Sequence, residues 1–281
     1  MTRVFRRRTL STGIIVLICL FFTAIVAGPF LWTAIMSFRL TTEIDANHYG
    51  LPNPLHFENY IYAFTKFGFA QYMRNSAFVT GFALLIATSV TTMAAYAFAR
   101  RRYVFLGREP LFLLIFISIM FPPQISLLAL FQLLVKYKLY NTLWGLVLVY
   151  SASALPFNIY ILRAFFAQIP QDIEDAARID GCTDLQMFWR VMFPIARPAV
   201  ATTVVLNFIN FWNEFLYAVT FVTRQEARTL PLAVMFFMGE AYLDVGMLAA
   251  GVMVSSLPVL ILYLFLSEQF IKGMTAGALK G

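Results

Sequence analysis

Charged residues are scarce in this sequence: only 12% of the 281 residues are Asp, Glu, Lys or Arg, whereas 60% are hydrophobic. Soluble globular domains carry about twice that share of charge. So few charges cannot cover the surface of a soluble domain of this size, and disordered chains are polar and charged. The composition therefore excludes both classes and predicts a chain that contacts lipid.

Several residue types and motifs that enzymes and metal sites need are rare or absent in this sequence. The chain has only two Cys and two His, so neither a disulfide framework nor a metal-binding cluster is expected. It also lacks the G-x-x-x-x-G-K-[ST] phosphate-binding loop, and it shows no nucleophile–base–acid set. We therefore expect no catalytic residue, no metal and no cofactor in this chain, and we do not predict an enzyme.

Long windows without any charge dominate the sequence. They are Thr9–Phe38, Asn75–Ala99, Pro110–Val135, Leu139–Leu162, Pro198–Asn213 and Val245–Ser267. The fifth continues past Glu214 to Thr223, and we count it as one span with an internal acid. A membrane-spanning helix needs roughly 20 apolar residues, and these windows do not alternate as barrel strands do. The sequence predicts an all-α integral membrane protein with six transmembrane helices, the first of which is a retained anchor and not a signal peptide.

The basic residues gather on one side of these spans. Fourteen of the 21 Lys and Arg residues fall on the side of the two termini, and seven fall on the other side. Because basic loops stay in the cytoplasm, both termini are predicted to be cytoplasmic. The net charge of +7 is then a topology signal and needs no nucleic acid to explain it. Arg100–Arg102 could in addition bind anionic lipid heads.

The loop at residues 164–197, between the fourth and fifth spans, begins with the pattern of a short helix. Pro170 is typical of a helix start, and three acids suit its positive end: Asp172, Glu174 and Asp175. Gly181 is typical of the left-handed residue just past a helix end. Between them, Ala176 and Ala177 are small enough to let another surface approach closely.

A second helix is predicted after Gly181. Thr183 and Gln186 have the spacing of a capping box, and an amphipathic apolar stripe follows. Pro194 and Pro198 are predicted to end this helix before the fifth span. Two interpretations remain open, a protein-docking surface and a plain connector on the membrane. A DNA-binding helix-turn-helix is excluded because acids outnumber bases in the loop, and phosphate would repel them.

This loop resembles the EAA loop of the inner-membrane permease subunits of binding-protein-dependent ABC importers. The matching segment reads Asp175-Ala176-Ala177-Arg178-Ile179-Asp180-Gly181 and closes at Phe193-Pro194. An Asp stands where the family has Glu, directly after Glu174, and Cys182 replaces the usual small residue. The F-W-N-E-F run at 211–215 and the Gly-rich tail at 272–281 resemble maltose-type carbohydrate importers, in particular the second permease of the pair.

The resemblance implies a MetI-like type I importer domain that forms half of a sugar pathway by alternating access. Residues 1–70 would hold the cytoplasmic N-terminus, first helix and outer loop, residues 71–271 the core, and residues 272–281 a cytoplasmic tail. The implied cellular location is a bacterial inner membrane. The implied partners are a second homologous permease, a dimeric cytoplasmic ABC ATPase that holds ATP and Mg, an extracytoplasmic sugar-binding protein, the sugar and membrane lipid. Coupling to the ATPase is assigned to Glu174, Asp175, Ala176, Ala177, Arg178, Asp180 and Gly181.

Polar residues in the fifth span are candidates for the substrate path. They are Asn207, Asn210, Asn213, Glu214 and Tyr217, which recur at the spacing of one helical face. Amides and aromatic rings suit hydroxyl-rich sugars. The alternative is that these residues hydrogen-bond to a neighbouring helix.

Two other functions remain to be weighed. An ion-driven secondary transporter would need paired intramembrane charges or two matching halves, and a membrane scaffold would need neither. Glu214 is the only strong intramembrane acid, and no clear repeat is visible. No feature of the sequence identifies the sugar.

Overall fold

The computed structural model describes residues 2–100, 102–103, 105–240 and 244–278, with the main chain alone at 2–12, 240 and 265–278. Arg101 and the end of the predicted tail, 279–281, lie outside the described residues. Within them every regular element is helical: α1 (Thr2–Met36), α2 (Thr41–Ala46), α3 (Glu58–Thr65), α4 (Phe69–Ala99), α5 (Arg108–Ile117), α6 (Pro123–Lys136), α7 (Leu143–Gln168), α8 (Gln171–Ile179), α9 (Asp184–Gln186), α10 (Phe193–Trp212), α11 (Leu216–Phe221), α12 (Leu230–Glu240) and α13 (Val245–Ala278). A π-helix, Met187–Met192, joins α9 to α10.

The described residues contain five continuous stretches that are long and apolar enough to cross a membrane. They are Gly13–Met36, Phe69–Ala99, Leu143–Gln168, Asp184–Trp212 and Val245–Leu264. The pair Arg108–Met120 and Pro123–Lys136 makes a sixth span when it is counted as one. It is bent by 109° from a straight line at its break. The prediction of an all-α protein with six spans is therefore confirmed, although the double proline at 122–123 breaks the third span sharply.

The fifth span differs most from its prediction. The expected stop at Pro194 and Pro198 is wrong, because the chain runs on from α9 through the π-helix into α10. Pro194 lies in the first turn of α10. Pro194 has no backbone N–H to donate. The wider turn of the π-helix just before Pro194 changes which backbone groups are hydrogen-bonded there. The expected continuation through Glu214 is also wrong, because α10 ends at Trp212 and a new helix begins at Leu216.

The structure divides into two compact units, and the first comprises the residues up to Phe69 together with Val234–Leu257. The buried side chain of Asn59 organises this unit by donating to the carbonyl oxygen of Arg39 at 3.0 Å. The start of α13 approaches the same carbonyl so closely that a Cβ on Gly246 would collide with it. A glycine is therefore required at position 246.

The second unit comprises Ala70–Ala233 and the residues from Pro258 onward. One apolar cluster among its described residues includes Tyr150 and Phe221. A second includes Phe166 of α7 together with Met187 and Met192 of the π-helix. This second cluster supports α8.

Candidate functional site

The loop at residues 164–197 folds as two helices that meet at Gly181, as predicted. Pro170 is the extended N-cap of α8, and Gly181 has a φ of +83°. Thr183 and Gln186 close the predicted capping box, since the Gln186 amide oxygen accepts from the Thr183 N–H at 2.9 Å. The helix start, the turn at Gly181 and the capping box each depend only on residues that are close in the chain. They could therefore be predicted from the sequence.

Helix α8 buries one side and exposes the other. The exposed residues of α8 are Gln171, Asp172, Ile173, Asp175, Ala176 and Ile179, and the exposed Asp180 follows just past its end. Ile179 is 87% exposed, so a large apolar side chain projects from this surface beside acidic ones. Exposed apolar groups rimmed by charge are typical of protein interaction sites. In contrast, Ala177 packs against the cluster beneath the helix.

Glu174, one of the residues assigned to ATPase coupling, is buried and paired within its own chain. It is 4% exposed, and its Oε1 lies 2.6 Å from the Nε of Arg100 in the same chain. Arg100 follows the last residue of α4 and is itself 7% exposed. The same burial removes Arg100 from the expected group of lipid-binding arginines. The sequence did not predict this ion pair because its two members are far apart in the chain.

The end of α4 is stabilised by further arginines. Arg108 donates to the carbonyl oxygens of Phe98 at 2.6 Å and of Arg100 at 3.1 Å. Arg163 donates to the Phe98 carbonyl at 3.3 Å, and its guanidinium lies 3.8 Å from the centre of the Phe112 ring. Cations at a helix C-terminus satisfy open carbonyls and the negative end of the helix dipole. The end of α4 is therefore a fixed anchor for its surroundings.

Arg178 braces the bend between the two helices. Its Nη2 donates to Asp184 Oδ1 at 3.2 Å, across Gly181. Both side chains are partly exposed, and surface pairs of this kind contribute up to about 1 kcal/mol. Arg178 thus contacts its own chain in this structure.

The structure does not bring the predicted polar residues of the fifth span onto one helical face. The helix ends at Trp212, so the spacing that relates the five residues is interrupted. Asn207 is buried within the bundle, whereas Asn210 is exposed near the end of α10. Asn213 caps that end, and its Nδ2 donates to Ile209 at 2.9 Å.

Glu214 is engaged in the short break between α10 and α11. Its carboxylate accepts hydrogen bonds from the N–H groups of Tyr217 at 2.7 Å and Ala218 at 3.1 Å. It therefore caps the start of α11, where the helix dipole favours a negative charge. Tyr217 is buried and lines a cavity.

This cavity lies at the break in the third span and has a volume of about 530 Å³. Its lining includes Phe121, Ser126, Ser153, Phe157 and Tyr217. Aromatic faces with a few hydroxyl groups are typical of a site for a small polar organic molecule. Sequence reasoning found only Tyr217 among these residues, because the cavity depends on the 109° bend at the double proline.

Comparison with known proteins identifies the family. Residues 92–272 match the family described as the binding-protein-dependent transport system inner membrane component. The chain belongs to this family. The matched region contains α8, the elbow and the spans that flank them. As a member, the chain is a multi-pass membrane permease subunit of an ABC importer, a transport component and not an enzyme. This membership replaces the alternatives of an ion-driven transporter and a scaffold.

Relatives with curated names cover nearly the whole permease. It is 34% identical to the probable ABC transporter permease protein YurM of Bacillus subtilis, over 96% of this chain and 89% of that one. It is 34% identical to the diacetylchitobiose uptake system permease protein NgcG of Streptomyces coelicolor, over 92% and 85%. It is 33% identical to the trehalose/maltose transport system permease protein MalG of Thermococcus litoralis, over 99% and 98%.

A solved structure shares the fold. It is a crystal structure of a bacterial ABC transporter involved in the import of the acidic polysaccharide alginate, with a TM-score of 0.78. The match covers 94% of the permease and 98% of that chain at 24% identity. The predicted MetI-like importer fold is thereby confirmed.

Proposed function

We propose that this permease forms half of the translocation pathway of an ATP-driven sugar importer in a bacterial inner membrane, with both termini cytoplasmic. Its relatives include permeases named for the uptake of diacetylchitobiose and of trehalose or maltose. The other members of the complex are a second homologous permease, a dimeric cytoplasmic ABC ATPase that holds ATP and Mg²⁺, and an extracytoplasmic sugar-binding protein. The family description, which names binding-protein-dependent transport, supports the last of these.

The observation that carries this proposal is the exposed surface of α8. Asp175, Ala176 and Ile179 are all exposed on a helix whose opposite side is packed and paired. A matching partner surface would offer an apolar cleft beside basic groups. The cytoplasmic ATPase is the partner assigned to it. Asp172 extends this surface toward the start of α8, and Asp180 and Gly181 extend it toward the elbow. Glu174, Ala177 and Arg178 support it from within.

The substrate path is assigned to the cavity at the third-span break and to the exposed end of α10. Tyr217, Phe121 and Phe157 present aromatic surfaces on which the apolar face of a sugar ring can stack. Asn210 is exposed and offers an amide to hydroxyl groups. Alternating access then opens this path first to one side of the membrane and then to the other. Because Glu214 and Asn213 already bond within the chain, they contribute to the path mainly by shaping the α10–α11 break.

The test is uptake into proteoliposomes that contain the permease, its partner permease and the ATPase, with the binding protein outside. Uptake of a labelled di- or oligosaccharide is expected to require internal ATP and to survive collapse of proton and sodium gradients by ionophores. Uptake that requires an ion gradient and does not depend on ATP would overturn the proposal. A panel that includes amino acids tests the substrate class separately, and transport of amino acids alone would refute the assignment to sugar.

A further inference from the structure

The ion pair between Arg100 and Glu174 is unusual for its burial. The two side chains are only 8% and 6% exposed, and the charged atoms are 2.6 Å apart. Removing two charges from water is costly, and a buried ion pair commonly stabilises a fold no better than two apolar side chains would. Such a pair favours the geometry that keeps its two charges together, because a buried charge left without a partner is costly.

Arg100 contacts the chain on both sides of α8 as well as within it. Its Nη1 donates to the carbonyl oxygen of Ile169, just before α8, at 2.9 Å. Its Nη2 lies 3.8 Å from the Sδ of Met192, in the π-helix beyond the elbow. One side chain at the end of a 31-residue span therefore contacts the residue before α8, the middle of α8 and the π-helix beyond the elbow.

Two bends in the backbone separate α8 from the spans. One is the Ile169–Pro170 connection, where the backbone is extended, and the other is Gly181, in the left-handed conformation. A force applied to α8 could then rotate the helix about these points and leave the spans in place. The ion pair opposes that rotation because Glu174 lies in the middle of α8.

We propose that Arg100 and Glu174 are positioning residues that make α8 move as one body with the end of α4. Displacement of α8 is thereby passed to the membrane spans. This inference rests on the proposed docking of the ATPase at α8, and it adds the route by which motion leaves the docking helix. Neither residue contacts the ATPase in this account.

The test uses the complete importer and measures three quantities: ATPase co-purification, ATP hydrolysis, and sugar transported per ATP. Glu174→Gln and Arg100→Met are expected to keep the ATPase bound and hydrolysing, while sugar transported per ATP falls by about tenfold or more, since the buried ion pair is lost. The matched control is Glu109→Gln, which breaks a more exposed ion pair with Arg163 outside the docking loop and should change this ratio by less than about twofold.

A merely structural role predicts a different result. It would lower the amount of folded complex and leave the sugar-to-ATP ratio of the remainder unchanged, which would overturn the proposal. If the single variants fail to fold, Arg100→Met combined with Glu174→Leu removes both charges and leaves neither unpaired. That double variant is expected to fold and to remain uncoupled, and normal transport by it would also overturn the proposal. Absence of the ATPase from the wild-type complex would instead refute the docking assignment itself.

Discussion

Ala176 and Ala177 are neighbours in α8, yet Ala176 is exposed and Ala177 packs against the cluster that contains Phe166 and Phe188. The alanine pair is therefore not one contact surface. Ala176 leaves room for something outside the chain, whereas Ala177 leaves room for the chain's own core. The two positions consequently allow docking and folding to be tested separately.

Enlarging Ala176 is expected to block the ATPase without harming the permease. In Ala176→Trp the new side chain projects outward, so the yield of co-purified ATPase should fall about tenfold, as for disruption at the centre of an interface. In Ala177→Leu the extra atoms enter a packed cluster, and the permease should lose about 1–3 kcal/mol of stability. Pull-down and thermal unfolding in detergent measure the two effects. Full ATPase binding by Ala176→Trp would contradict the docking surface.

Replacing Gly181 tests the elbow between the two helices. Its φ is +83°, and a Cβ there would meet no atom within 4 Å, so the cost of Gly181→Ala is one of backbone strain alone. We expect a loss of about 1–2 kcal/mol, with a smaller loss for Gly181→Asn. The control is Gly81→Ala in α4, where the added Cβ is equally free of contacts but φ is ordinary. Equal melting temperatures for Gly181→Ala and Gly81→Ala would refute this account.

The parts of the fold that were predictable depend on local signals. Charge-free windows predict helices because lipid leaves the backbone no other choice, and the capping box of Thr183 is complete within four residues. The predicted helix end at Pro194 is wrong because that prediction assumes an α-helix, whereas a π-helix precedes Pro194. Proline does disrupt the interior of an α-helix, but the local sequence does not show where an α-helix changes to a π-helix.

Long-range contacts account for the errors in the candidate site. Nothing near Glu174 indicates that it is buried, because its partner Arg100 comes from another helix. Likewise, the polar pattern from Asn207 to Tyr217 describes one face only if the helix is continuous. Spacing predicts which residues are neighbours on a helix, whereas the position of a break depends on how the helix ends pack.

Variants at two asparagines of α10 distinguish a role in the substrate path from a role in internal packing. Asn210 is exposed, so Asn210→Leu is expected to raise the KM for sugar uptake several-fold, to a degree set by about one lost hydrogen bond. Asn207 is buried, so Asn207→Leu should change thermal stability and leave the KM of the folded protein unaltered. Uptake kinetics and thermal unfolding measured on both variants give the comparison. An unchanged KM for Asn210→Leu would assign that residue to packing.

The segment before α12 is held by a buried amide at the start of α4. The Nδ2 of Asn75 donates to the carbonyl oxygens of Glu226 at 2.8 Å and Arg228 at 2.9 Å. Asn75→Leu should remove one hydrogen bond from each of these two carbonyl oxygens and destabilise the segment by about 1–3 kcal/mol. Hydrogen exchange at residues 225–230 measures the effect. The control is Gln71→Ala, which removes an exposed donor to the same Glu226 oxygen and should have little effect, since water can replace it.

His56 links two carboxylates in the loop that follows α1. Its Nε2 lies 3.0 Å from Glu43 and its Nδ1 lies 3.1 Å from Glu58. The hydrogen bond with Glu43, aided by Glu58, raises the pKa of His56 above its ordinary value of 6.5. The same hydrogen bond lowers the pKa of Glu43, so the two groups are charged together over a widened pH range.

The sign of the pH effect follows from the direction of these shifts. Because the pKa of His56 is raised in the folded loop, its contribution to stability is fully present below pH 6.5 and is lost as the pH rises through the raised pKa. Hydrogen exchange of residues 38–58, corrected for the intrinsic rate, should therefore show weaker protection as the pH rises from about 5 to about 8. His56→Gln should abolish this dependence, whereas His48→Gln should retain it, because His48 lies exposed in the same loop. The same pH profile in His56→Gln as in the wild type would show that the linked carboxylates do not hold this loop.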